Sequence, residues 1–394
     1  MSIRHGRPVL SIPGPTTVPD DVLNAMHQQA IDIYSGPLVA TTDSCLSDLK
    51  TLFGTKGHSF IYIANGHGGW EAALSNVLSG GDKVLILESG RFALGWGMMA
   101  EKMGVEIEVL PGSWRRAVDP AAVEARLRAD TEGEIKAVLV VQIDTASSVI
   151  NDIPAIRQAI TNAGHGALYM VDTIASLGIV PFTMDAWGVD VCVSAAQKGL
   201  MTPPGLTFLA ANDKAMAAHE EADLVTHYWD WTARLGDIHY QKYCGTPPEH
   251  LLFALRKALD ILFDEGVEKA QHRHALLAEA VRRAVAVWAE GGSLAFNIES
   301  AAERANSVTT ILTEGFDPAT LRAFCAETCG VTIGGAIGDL EGKGLRIGHM
   351  GHVNAPSVLG TLGAIEIGLI ALGIPHGRGG VQAAVDWLGQ SVAV

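Results

Sequence analysis

Seven short β-rich runs alternate with helical patterns through the first two thirds of the chain, and this alternation confines it to an α/β architecture. The runs are SFIYIA, KVLILES, EIEVLP, AVLVVQI, ALYMVD, VDVCVSA and LTFLAA, separated by segments such as DPAAVEARLRAD. Strands joined through helices return in the same direction, so a mostly parallel seven-stranded sheet covered by helices is expected. Ligands of such sheets gather beyond the carboxyl ends of the strands, so the residues just after each run carry the information. From about Glu265 long helices take over, HALLAEAVRRAVAVWAEGG being the clearest, followed by SVTTILTE, VTIGG, GLRIGH and a closing helical region. That second pattern describes a smaller α+β domain. A single core stops growing at roughly 250–300 residues, so the 394 residues divide into a large domain, 1–265 with the N-terminal segment, and a small C-terminal domain, 266–394.

A net charge of −15 argues against a nucleic-acid partner, since polyphosphate binding needs a basic face. A small anionic substrate needs only a local cationic pocket, which whole-chain charge does not report. Cys45, Cys192, Cys244, Cys325 and Cys329 show neither paired nor metal-ligand spacing, so reduced thiols and a cytoplasmic location are expected. The N-terminus MSIRHGRPVL lacks the apolar core of a signal peptide. The most apolar segment, Leu359 to Ile374, is interrupted by Glu366 and is too short for a bilayer; it reads as a buried helix, with no membrane partner.

Four places stand out chemically. Gly66-His67-Gly68-Gly69 follows SFIYIAN and opens a helical pattern, where free amides and the helix dipole can hold a phosphate, or where glycines simply permit tight packing. Asp172 ends ALYMVD and can hold a ring nitrogen protonated, or cap the following turn. Gln197-Lys198 follows VDVCVSAA and enters Gly199-Leu200-Met201-Thr202-Pro203-Pro204-Gly205; a lysine there is either a desolvated nucleophile or a surface charge. Arg346 sits inside an otherwise apolar run, suited to clamping a carboxylate in two-pronged fashion or to a structural ion pair.

Together these stretches resemble the class V aminotransferases, and within them the alanine–glyoxylate and serine–glyoxylate group. The resemblance covers nearly the whole chain, from Ile12-Pro13-Gly14-Pro15-Thr16 through GHGGWEAALSNVLSGGDKVL, VDTIASLG, SAAQKGLMTPPG and Tyr243-Cys244-Gly245-Thr246-Pro247-Pro248 to LRIGHMG. It implies a pyridoxal 5′-phosphate enzyme of fold type I that catalyses ping-pong transamination from a small amino acid to a 2-oxo acid. Glyoxylate is the favoured acceptor by resemblance alone, with pyruvate its nearest rival and ureidoglycine among the possible donors. Lys198 resembles the Schiff-base lysine and proton carrier, and Asp172 the partner of the pyridine nitrogen. Phe92 takes the place of the residue that stacks on the ring. Asn65, Gly66, His67 and Gln197 match positions around the phosphate, and Thr145 offers a hydroxyl near the cofactor. Tyr243 and Thr246 match residues that reach the phosphate of a neighbouring subunit, which implies a homodimer with shared sites. Arg346 matches the arginine for the substrate α-carboxylate, with the backbone at Gly14 close by.

The chain also departs from that pattern. Asp144-Thr145-Ala146-Ser147-Ser148 replaces a Glu-Thr-Ser-Thr-Gly type turn, shortening the acid and removing a glycine, so the loop's path is open. Asn65 stands where a hydroxyl residue is common, and Asp32-Ile33-Tyr34-Ser35-Gly36-Pro37 replaces an Asp-His-Arg-Gly-Pro type entrance. Arg91, His349 and His352 are candidates to receive a second anionic group of the donor, against the alternatives of a solvated arginine and two structural histidines. Two rivals remain: a lyase or cysteine desulfurase, for which Cys325 and Cys329 fall in a helical pattern rather than a mobile loop, and a catalytically silent binding protein.

Overall fold

The structure is a computed structural model and describes residues 2–392. Its main sheet has seven strands in the order β2 (His58–Ala64), β10 (Gly205–Ala211), β9 (Val191–Ala195), β8 (Leu168–Asp172), β5 (Ile135–Val141), β3 (Lys83–Leu87) and β4 (Glu106–Leu110). All seven match the runs read from the sequence. Only β10 runs antiparallel to its neighbours β2 and β9. The β9–β10 link, residues 196–204, is too short to hold a crossover helix, so the chain must turn back on itself. Every residue of β8 and β9 is buried. Alternate residues feed two cores: Leu85, Leu87, Val138 and Val140 pack on one face, and Val84, Ile86, Ala137 and Leu139 on the other.

A second sheet has the order β1 (Val9–Ser11), β13 (Val331–Gly335), β14 (Gly344–Gly348), β12 (Val308–Thr313) and β11 (Leu294–Phe296). β1 and β11 did not stand out in the sequence, because three-residue strands are too short to show alternation. β1 pairs in parallel with β13, so the N-terminal segment, grouped by sequence with residues 1–265, supplies an edge strand to the C-terminal sheet. The division at 265/266 falls at Gly266, whose φ of +88° separates the helices Glu249–Glu265 and Val267–Ala289. A third pair, β6 (Ile143–Asp144) and β7 (Val149–Ile150), forms a small hairpin beside the end of β5.

The expectation of a buried helix at Leu359–Ile374 needs correction. The helix Ala355–Ala371 buries Leu362, Ile365 and Leu369, but Ile367 is 44% and Ile370 58% exposed, so it is apolar all round while packed on one face only. Glu366 interrupts it for a structural reason: its carboxylate accepts hydrogen bonds from Trp288 Nε1 (3.1 Å) and the Val381 amide (2.8 Å), anchoring the helix Gly380–Ser391. No helix of the described residues is long and apolar enough to cross a membrane.

Candidate active site

The carboxyl ends of β2, β5, β8 and β9, with the turn after β3, open on one cavity of about 270 Å³. Asn65, Gly66, His67, Phe92, Thr145, Asp172, Gln197 and Lys198 all line it, so eight positions from five separate stretches of sequence converge on one space. Gly14 adjoins them, because a Cβ added there would lie 2.6 Å from Lys198 Nζ. That amine donates to the Pro13 carbonyl. Arg346 stands on β14 next to Thr145, whose carbonyl accepts from its Nη1 at 2.9 Å.

The tight-packing reading of the glycine turn holds. A Cβ at Gly69 would meet Thr207 Oγ1 at 2.3 Å, and one at Gly66 would meet Ile174 Cδ1 at 2.4 Å, so the helix Gly66–Val77 lies hard against the sheet. Asn65 caps that helix, its Oδ1 accepting from the His67 and Gly68 amides at 3.1 and 3.3 Å. The same close approach directs the positive helix end into the cavity, so packing and anion binding are compatible here.

Asp172 is almost wholly buried, with Oδ1 accepting from the Ile174 amide at 2.7 Å and Oδ2 from Trp70 Nε1 at 2.6 Å. Burial pushes its carboxyl up to about 7 despite those two donors, so a cation placed beside it would be strongly held. Lys198 moves the opposite way: burial first and then the Arg346 charge bring its ammonium down to about 8, against the pull of Asp172. An amine so placed is partly neutral near physiological pH and is therefore nucleophilic.

Arg346 is buried and its Nε donates to the Gly335 carbonyl at 2.7 Å. Burial and nearby Arg322 bring it down to about 10, with Asp144 opposing. Among the described residues no carboxylate forms an ion pair with it, which disfavours the structural ion pair.

The loop after β5 keeps a defined path without the glycine. Ser148 takes φ +69° itself, and its amide donates to the Asp144 carbonyl at 2.8 Å. The shorter acid still reaches the start of the helix Arg91–Lys102, accepting from the Phe92, Ala93 and Ala146 amides at 2.8, 3.1 and 2.9 Å. Gly90 makes room for it, since a Cβ there would stand 2.3 Å from the Asp144 carboxyl carbon.

Other expected positions lie elsewhere. Tyr243 is buried in its own chain, its hydroxyl 2.9 Å from that of Thr42, and Thr246 is exposed; neither lines the cavity. His349 is structural: it is buried between Thr309 Oγ1 (2.9 Å) and the Asn306 carbonyl (3.1 Å), and burial brings it down to about 3. His352 is exposed on another face, whereas Arg91 is exposed near enough to His67 that its charge, after burial, lowers that imidazole. Cys325 is buried and its thiol pushed up to about 12, so it lacks the thiolate a desulfurase needs. The sequence reading missed the role of Trp70. Its place in GHGGWE, little more than one helical turn after Asn65, was the available signal.

A fold of this kind, with a lysine and a buried aspartate meeting beyond the strand ends, defines an α/β enzyme with a nucleophilic amine at its centre. The aminotransferase class-V family matches residues 9–339, and the chain belongs to that family, with its fold-type I architecture. It is 40% identical to the serine–glyoxylate aminotransferase of Methylorubrum extorquens over 98% of this chain and 97% of that protein. It is 34% identical to the L-aspartate–glyoxylate aminotransferase of Paracoccus denitrificans, over 97% and 96% respectively. A crystal structure of ureidoglycine–glyoxylate aminotransferase from Bacillus subtilis superposes with a TM-score of 0.88 at 26% identity, covering 97% of this chain and 98% of that one.

Gly14 gives the first prediction. Replacing it with alanine costs about 1–2 kcal/mol through the left-handed backbone alone, and the new Cβ displaces the Lys198 amine. Activity is expected to fall further than stability, as read from initial rates beside chemical unfolding. Wild-type rates in Gly14→Ala would contradict the close packing of residue 14 on Lys198.

Proposed function

We propose that the protein is a pyridoxal 5′-phosphate-dependent transaminase that moves an amino group from a small amino acid of the serine, alanine or aspartate type to glyoxylate. The observation that carries this is the shared cavity of Lys198 and Asp172, whose environments push amine and acid toward neutrality from opposite directions. The cavity fits the cofactor in three respects. It is large enough for a substituted pyridine, Phe92 and Ile174 offer apolar surface to a flat ring, and the buried Gln197 Oε1 has no protein partner. Asn65, Gly66, His67 and Gln197 would hold the phosphate, with Thr145 nearby.

When bound, the cofactor supplies an aldehyde that condenses with amines and a cationic ring that draws electrons from the α-carbon of the donor. The protein supplies the rest. Asp172 would keep the ring nitrogen protonated, because its buried carboxylate, raised to about 7, is stabilised by a cation beside it. Lys198 Nζ would be the cofactor's attachment point and, as a free amine held in the cavity, the base that takes and returns the α-proton of the donor. Arg346 would bind the donor α-carboxylate through the guanidinium N–H groups not taken by the Gly335 and Thr145 carbonyls. Phe92, held by Asp144 through its amide, would offer its apolar surface to the ring and help exclude water.

We propose that the segment carrying Tyr243 and Thr246 lies at a homodimer interface, the exposed Thr246 reaching the other subunit's phosphate site while Tyr243, buried against Thr42, supports the segment. This follows from the family resemblance, and the exposed Tyr34, Tyr228, Ile238 and Tyr240 around that segment support it. Five unpaired cysteines support a reducing, cytoplasmic setting. An aspartate-type donor gains support from Arg91, which has no ion-pair partner among the described residues and stands by His67.

The test is a matrix of serine, alanine, aspartate and ureidoglycine against glyoxylate, pyruvate and 2-oxoglutarate, scored for both products. Turnover with glyoxylate at least about tenfold above the other acceptors, equivalent to roughly 1.4 kcal/mol, supports the reading. Preference for pyruvate would move the assignment to that acceptor.

A further inference from the structure

We infer that Trp70 is a positioning residue for Asp172, its indole N–H holding the carboxylate in one orientation and favouring its anionic form. The inference rests on the assignment of Asp172 to the cofactor ring and goes beyond it, since the sequence alone does not tell where the indole N–H of Trp70 is directed. The contact is short, 2.6 Å from Nε1 to Oδ2, and both residues are buried. A hydrogen bond from N–H to an ionised oxygen is among the stronger kinds, and burial removes the water that would otherwise replace it.

The indole cannot swing away. It stacks on Trp96 with centroids 5.9 Å apart and 16° between planes, while His67 packs against its other side at 4.6 Å. Trp70 is thus wedged between a second tryptophan and a residue of the cavity wall, with its one polar atom directed at the carboxylate. The Ile174 amide holds the other oxygen at 2.7 Å. Each oxygen thus has one fixed donor and keeps further acceptor capacity, and Asp172 lines the cavity, so it could accept from a ring N–H bound there.

Asp172 is faced by few other groups. Lys198 lines the same cavity and favours the anion, Asp144 opposes it, His67 is also in the cavity wall, and the Cys192 thiol is buried in the core near enough to feel the carboxylate. Neither Lys198 nor Asp144 is hydrogen-bonded to Asp172, which leaves Trp70 as its one side-chain donor among the described residues. Losing it should raise the carboxyl titration by about one pH unit or more, the change expected for one charge-assisted bond.

The experiment is an infrared pH titration of the cofactor-free protein. The protonated-carboxyl band of Asp172 is isolated by subtracting Asp172→Asn and compared between wild type and Trp70→Phe. A midpoint moved upward by about one unit or more, with cofactor affinity by equilibrium dialysis weakened about tenfold, is the expected result. An unchanged midpoint with only a lowered melting temperature would overturn the inference, since a packing role moves stability and not titration. Should Trp70→Phe fail to fold, benzothienylalanine at position 70 keeps the shape and removes only the N–H, and the same two outcomes apply. Wild-type protein that binds no pyridoxal 5′-phosphate would refute the cofactor assignment separately, because the titration needs no cofactor.

Discussion

Lys198→Ala is expected to abolish transamination, lowering turnover by at least about 10²–10⁴-fold, the contribution of one positioned proton carrier. The loss should exceed that range, because on this reading the same amine would also anchor the cofactor. Among the described residues no other lysine lines the cavity to take over. The wild-type amine titrates near 8, lowered from its ordinary 10.5 chiefly by burial and then by Arg346. The nucleophilic neutral form therefore grows as pH rises through about 8, and covalent capture of added cofactor should climb toward that value and level above it. Stopped-flow absorbance between pH 6 and 9.5 measures this. A capture rate flat across the range would show that the amine is not desolvated as the cavity requires.

Arg346→Lys is expected to keep the fold and cofactor affinity while reducing kcat/KM for every α-amino acid donor by about 10²-fold or more. Breaking one partner of a buried, hydrogen-bonded charge pair costs about 2–5 kcal/mol. A lysine keeps the charge, but it cannot hold the Gly335 and Thr145 carbonyls and still present a flat edge to a carboxylate. Most of the effect should appear in KM. Steady-state kinetics with one good donor and with its decarboxylated amine separate the cases. A loss confined to the carboxylate-bearing donor supports the clamp, whereas equal losses for both would reduce Arg346 to a support for the 144–148 loop.

Much of this architecture was legible in the sequence because it depends on long, uninterrupted signals. The seven runs of the main sheet are buried on both faces at β8 and β9, which leaves them almost purely apolar and easy to see. Lys198 and Asp172 could be found because each sits at the end of such a run, where a charged residue contrasts with what precedes it. β1 and β11 escaped because three residues carry no period, and β1 joins its sheet through a partner more than 300 positions away. The exposed face of the helix Ala355–Ala371 was invisible for the opposite reason: a helix apolar on every side gives no stripe to orient it.

The site shows the same division. Trp70 is as buried as Trp96 beside it, and differs in lining the cavity and in directing its N–H at Asp172. The turn Asp144-Thr145-Ala146-Ser147-Ser148 seemed to forfeit its path with the glycine. Ser148 nevertheless adopts the left-handed conformation, held by Thr310 Oγ1 at 2.5 Å from its hydroxyl. That compensation comes from the second sheet and could not be read locally. Arg346 was ambiguous because spacing cannot separate a clamp from an ion pair; its carbonyl partners and the lack of a carboxylate partner among the described residues count against the ion pair and leave the clamp to the kinetic test.

The central claim is that the ε-amine on the β9–β10 link is the point of covalent attachment. Reducing the loaded protein with borohydride and mapping its peptides by mass spectrometry addresses it directly. The account predicts a single phosphopyridoxyl adduct on the peptide containing Lys198. An adduct on any other lysine, or none with this one intact, would contradict it.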